Sequence, residues 1–173
     1  QVRTLVLTPE YLLISDRLAS QEAHEYDWVY HNRGVLSDLA GEDASDLDFL
    51  GHEYIDAPVD LKERNAAAFL TEGVMTCLTL SDIAERLTVA TGVGASIKDR
   101  VPVVIARRSG SNVQFNAVLE PLETQNPAPS RSILAEGGAL TISDGVTHDV
   151  IEISGNTVRV SRNGSTVLEA AGG

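Results

Sequence analysis

Residues 24 to 31, "HEYDWVYH", gather two histidines, two tyrosines, a tryptophan and an aspartate in a chain whose aromatic content is only 5%. Imidazole and phenol groups move protons. Aromatic rings with polar tips pack or bind at half-wet surfaces. Side chains alternate in a strand, so His24, Tyr26, Trp28 and Tyr30 share one face, and Glu25, Asp27, Val29 and His31 share the other. The two histidines are seven positions apart and therefore fall on opposite faces. The even-numbered face is an aromatic stripe. It reads first as packing against another sheet, with hydroxyls finding partners. A carbohydrate platform is the second reading, and a catalytic role for one of its residues the third.

A second candidate lies farther on. Lys98, Arg100, Arg107 and Arg108 form the one local basic cluster, and guanidinium groups suit a carboxylate or sulfate. A charged strand end is the plainer reading. The candidate substrate contacts are thus Tyr26, Trp28, Tyr30, His31, Arg107 and Arg108. No catalytic residue is assigned.

Other signals carry less. "DASDLD" supplies Asp43, Asp46 and Asp48 as hard oxygen ligands but lacks the glycine and terminal glutamate of an EF-hand, so it reads as a solvated acidic loop. "GVGASIKD" (92–99) lacks the lysine–hydroxyl pair of a phosphate loop. No G-x-S-x-G elbow is present. Cys77 is the single cysteine and reads as a small buried hydrophobe in "VMTCLTL". No metal site and no cofactor are expected in this chain.

The elements that must position these residues are strands. The chain has 173 residues, is 43% hydrophobic and carries a formal charge of -12. That length suits one well-buried domain, and the composition argues against disorder. The acidic balance disfavours nucleic acid and anionic membranes as partners. No apolar run approaches the ~18 residues of a membrane-spanning helix. The start reads as folded strand sequence without a signal peptide, and a first residue other than Met suggests a processed or cut end.

Strands are predicted at 2–7, 11–15, 24–31, 73–80, 86–91, 101–108 and 112–122, then in four short terminal segments. "ASQEA" reads as a polar link. "SGS" at 109–111 reads as a hairpin turn with Gly110 at positive φ. Asn163-Gly164 predicts a type I′ hairpin. Residues 60–70 have helix-forming composition but also fit a strand with a loop. Residues 101–106 are apolar on both faces and should lie centrally. The expected fold is an all-β antiparallel β-sandwich. It would comprise a sheet domain over 1–122, a linker at 123–132, and a terminal β meander at 133–173 packed on the same domain.

The order of three segments carries a resemblance. "RTLVLTPEYLLISDRLAS", "HEYDWVYHNRGVL" and "KDRVPVVIARRSGSNVQFNAVLEP" resemble the C-terminal β-sandwich region of heparinase II/III-like and alginate lyases. The matching residues are Arg3, Tyr11, Asp16, Arg17, Tyr26, Trp28, His31, Gly34, Arg107, Arg108, Phe115 and Pro121, and the resemblance covers residues 1 to about 122.

The resemblance implies a bacterial polysaccharide lyase that cleaves uronate-containing chains by β-elimination. A base removes the proton α to the carboxylate, and positive or polar groups stabilise the enolate. Such enzymes join an (α/α) toroid to a large sheet domain. A tyrosine often serves as base or acid, and several members bind zinc. This chain departs from the pattern in having no H-x-H and no His-Asn-Thr; "HNR" at 31–33 is neither. There is no room for the toroid.

The expectation is therefore the C-terminal part of a lyase, inactive alone. Its partners would be the missing toroid and sheet portion and a polysaccharide, in the periplasm or outside the cell. An independent carbohydrate-binding module, or a structural sandwich mediating protein contacts, are the alternatives.

Overall fold

Runs of Val, Ile, Leu and Thr bounded by Gly, Pro and Asn favour extended backbone, because branched side chains pack well on a pleated surface. The computed structural model describes residues 1–37, 41–44, 47–48, 51–122 and 129–171 and is almost wholly antiparallel β. Among the described residues the one helical element is a 3-10 turn at His52–Tyr54. The chain divides into two compact units, Gln1–Ala128 and Pro129–Gly173. The expected linker at 123–132 lies mostly outside the described residues.

The first unit holds nine strands: β1 (Val2–Leu7), β2 (Leu12–His31), β3 (Val35–Ser37), β4 (Glu42–Asp43), β5 (Asp56–Asp60), β6 (Ala66–Thr71), β7 (Val74–Leu80), β8 (Arg86–Val93) and β9 (Arg100–Leu122). Two of them are unusually long. β2 and β9 pair antiparallel from Leu12↔Leu119 to His31↔Val103. Midway the ladder breaks: residues 20–23 fall between the pairs Ala19↔Asn112 and His24↔Gly110, so they face only Ser111. Gly110 takes a φ of 151°, open to glycine and strained for other residues. A bulge in one strand opposite a glycine in the other bends the pair.

The bend makes one sheet into two layers. The first halves of β2 and the last part of β9 form a layer with β1 on one side and β7, β6 and β3 on the other. The remaining halves form a second layer with β8, β5 and β4. Between them lies one core. Phe69, Leu78, Leu80, Phe115 and Ala117 come from the first layer, and Trp28, Leu87, Val89, Val104 and Ala106 from the second. The fold is thus an antiparallel β-sandwich made by folding a sheet on itself.

This architecture corrects the predicted hairpin over "SGS". Residues 101–108 and 112–122 do not pair with each other; they are one strand, and both pair with β2. The "ASQEA" link likewise lies inside β2 as its bulge. Residues 60–70 form the end of β5, a turn with Glu63 at φ 57°, and the start of β6. Residues 101–106 lie between β2 and β8, as a strand apolar on both faces should.

The second unit is a meander of β10 (Ser132–Glu136), β11 (Ala139–Ser143), β12 (His148–Ser154), β13 (Thr157–Arg162) and β14 (Ser165–Ala171). Asn163 and Gly164 have φ of 48° and 82°, the two positive values a type I′ turn needs. Leu140, Ile151 and Val160 sit in one register row and are buried together. Buried Asp149 is held by Arg162 through two bonds of 2.8 and 2.9 Å.

Candidate functional site

The aromatic stripe follows strict alternation from His24 to His31, because the bulge precedes it. Tyr26, Trp28 and Tyr30 turn toward the core of the sandwich. Trp28 is 7% exposed, and its indole lies parallel to the Tyr30 ring, 6.2 Å between centroids. Tyr30 meets Phe69 edge-on at 5.8 Å. The polar tips find partners: the Tyr26 hydroxyl donates to Ser20 Oγ at 3.0 Å, and the Tyr30 hydroxyl accepts from Asn32 Nδ2 at 3.0 Å.

The tip of Trp28 marks a constellation that alternation alone does not reveal. Its Nε1–H donates to Oδ2 of Asp16 at 2.9 Å, joining the two layers. Arg3, opposite Asp16 in the β1–β2 ladder, donates to both carboxylate oxygens at 2.8 and 2.7 Å. Asp16 is fully buried. Burial pushes its carboxyl up, but the hydrogen bonds from Arg3 and Trp28 and the Arg3 charge outweigh this and hold it below the usual carboxylate range. A sequence signal for this group exists. Asp16 interrupts the core-facing series Leu12, Ile14, Leu18, and a charge at such a position needs partners.

Arg107 and Arg108 are neighbours in sequence and point to opposite faces, as residues in one strand must. Arg107 lies on the outer face of the second layer with Glu25, Asp27 and His31. It donates to Asp27 through Nε and Nη2 at 2.7 and 2.8 Å, and its Nη1 lies 2.7 Å from Glu25. His31 is exposed there. Arg108 faces inward, 5.4 Å over the Phe115 ring, and is paired to Asp82 through both terminal nitrogens. That pairing, more than the opposing burial, holds the Asp82 carboxyl below its ordinary range. Arg100 pairs with Asp56 at 3.2 Å and donates to the Tyr54 carbonyl. The predicted basic cluster is therefore dispersed over two faces, and its three arginines are engaged with acids.

The six candidates accordingly separate. Tyr26, Trp28, Tyr30 and Arg108 belong to the interior side of the second layer; His31 and Arg107 belong to its outer side. On that outer side the charges form a cross-strand ladder. Glu25 and Asp27 meet Arg107, Arg107 is opposite Arg86, and Arg86 binds Asp60 at 2.9 Å. The ladder runs into a groove of about 710 Å³ lined by Glu42, Asp60, Lys62, Glu85, Arg86 and others. Lys62 pairs with Glu42, and Glu85 accepts from the Ser109 amide and hydroxyl, each at 2.9 Å. The sequence reading missed this groove, since its residues are scattered over β4, β5, β8 and the segments that follow β5 and precede β8. Its charges neutralise one another rather than converge on a reacting atom.

No family model matches the chain, and no curated protein matches it. Chemically, β-elimination asks for a base beside positive charge that is open to a substrate carboxylate. Arg107 and Arg108 already hold carboxylates of their own. Among the described residues no group of three or more His, Cys, Asp or Glu could hold a metal ion. Asp46 of the acidic loop lies outside the described residues. Cys77 is buried, and burial pushes its thiol up to about 11.

Proposed function

We propose that this chain is the C-terminal β-sandwich region of a heparinase II/III-like polysaccharide lyase, bracing the catalytic sheet and supplying no catalytic group itself. The observation that supports the reading is where the resemblance residues fall. Arg3, Asp16 and Trp28 form one hydrogen-bonded set across both layers. Tyr11 and Phe115 are buried. A Cβ on Gly34 would sit 2.3 Å from Thr71 Oγ1 and 2.5 Å from the Leu70 carbonyl oxygen. Residues placed this way build and lock a scaffold.

In this reading the toroid and preceding sheet portion carry the base and the enolate-stabilising groups, and the substrate is a uronate-containing polysaccharide met in the periplasm or outside the cell. Zinc, known in several members, would in this reading be held by the preceding region.

The test is a lyase assay on alginate, heparin, heparan sulfate, chondroitin and hyaluronan, following ultraviolet absorbance of the new double bond. The chain alone should form no unsaturated product, and the chain joined to its preceding region should. Product from the chain alone would overturn the reading and make Tyr26, Tyr30 and His31 the first residues to substitute. Saturable glycan binding by the chain alone, without turnover in either form, would favour an independent binding module.

A further inference from the structure

The two layers do not end together. In the first layer β2 is flanked by β1, but in the second layer the same edge of β2, from Glu25 to His31, has no neighbouring strand among the described residues. Its hydrogen-bonding groups can be assigned. Asn32 N–H bonds to the Pro102 carbonyl, which makes 32↔102 a hydrogen-bonded pair. Such pairs alternate in an antiparallel ladder, so the even residues of this segment face β9. The N–H and C=O groups of Glu25, Asp27, Val29 and His31 point outward from the open edge.

Beyond the Arg3–Asp16 pair, the side of the first layer beside that edge is apolar. Leu5 pairs with Ile14 and Leu7 with Leu12, and Ile14 packs on the core. Leu5 and Leu7 share that core-facing side, yet they are 59% and 77% exposed. The second layer is one strand short above them. A strand edge and an apolar face meeting at one corner match a single kind of occupant, an added β-strand. Charge narrows it further. The outer-face neighbours of the slot include Glu25 and Asp27. Arg107 is the one cation shared by these two carboxylates, so a negative excess remains, and the Glu25 side chain is 53% exposed.

We propose that the β2 edge from Glu25 to His31, with Leu5 and Leu7, docks a β-strand of the same enzyme's preceding sheet portion, apolar toward the first layer and basic on its outer side. The identity of the donor polypeptide rests on the lyase reading; the slot itself does not.

The test uses fluorescein-labelled nine-residue peptides, one alternating Val with Lys and one alternating Val with Glu, titrated by anisotropy against the whole chain. The Val/Lys peptide should bind saturably and the Val/Glu peptide about tenfold or more weakly. Leu5→Lys with Leu7→Lys should weaken binding about tenfold, because it places charge in the apolar corner. So should Val29→Pro, which blocks the open edge while sparing the β9 ladder. Leu134→Lys, an exposed leucine of the second unit, should change nothing.

Circular dichroism checks that each variant folds, and the double lysine variant alters only exposed positions. Equal binding by all variants, or no binding of the Val/Lys peptide, would overturn the proposal. So would sedimentation showing a dimer that Val29→Pro converts to monomer, since a second copy would then fill the slot. Peptide binding together with a failed lyase assay would remove the lyase reading, overturn the assignment of the donor to the same enzyme, and leave the strand slot standing.

Discussion

Asp16 is the residue on which the two layers agree. It sits in one layer, accepts from Trp28 in the other, and has Arg3 as its charge partner. Trp28→Phe keeps the ring but removes the donor, so urea unfolding should show a loss of about 1–3 kcal/mol. Asp16→Ala leaves Arg3 and the indole without their acceptor and should cost about 2–4 kcal/mol, somewhat less than a fully buried pair because Arg3 is half exposed. The pH dependence has a definite sign. The folded carboxyl titrates below its unfolded value of about 3.9, so its contribution is present above that pH and lost as pH falls through the lower folded value. Asp16→Asn should therefore flatten the acid limb of stability below about pH 4 and leave the slope near neutrality unchanged. Trp28 is the single tryptophan, so its fluorescence reports this contact directly. Cys77 offers a complementary probe. With its thiol pushed up to about 11, it should resist a thiol reagent at pH 8 in the folded chain and react fully in urea.

At the scale of elements, the long strands, the type I′ turn and the central place of residues 101–106 were legible, because alternation and turn chemistry act locally, whereas the short strands β3, β4, β5 and β10 were not predicted. What local reasoning misread was continuity. Gly110 in "SGS" signals positive φ correctly, but positive φ serves a bend as well as a hairpin. Only the partner strand decides, and β2 lies some eighty residues away in sequence from Arg107. The opposite-face placement of Arg107 and Arg108 was implicit in the strand period. Their acid partners were not, since Asp27 and Asp82 come from distant segments. The turn after β2 gives a local test. Asn32 Oδ1 accepts from the Gly34 amide at 2.6 Å and from Thr71 Oγ1 at 3.0 Å, clamping the entry to β3. Gly34→Ala forces its methyl against backbone there and should lower stability by about 2 kcal/mol or more, measured by thermal melting.

At the scale of the molecule, 25 acidic and 13 basic residues leave a strong negative excess. Surface ion pairs contribute little each, while like-charge repulsion acts over the whole chain. Added sodium chloride should therefore raise the melting temperature; a fall would mean that the cross-strand charge ladder outweighs the net repulsion. The bent β2–β9 pair also sets a timetable. Ser15 bonds to Asn116, 101 residues later. A ribosome adding 5–20 residues per second needs roughly 5–20 s to deliver that partner. During this interval β1 and β2 are present without the strand that gives both layers their central rail. Neither layer can close before β9 is made: residues 100–110 complete the second layer, and residues 112–122, made next, complete the first. The sandwich should thus form near the end of synthesis of its first unit, and a pause before residue 100 would hold the β1–β2 hairpin waiting for its mate.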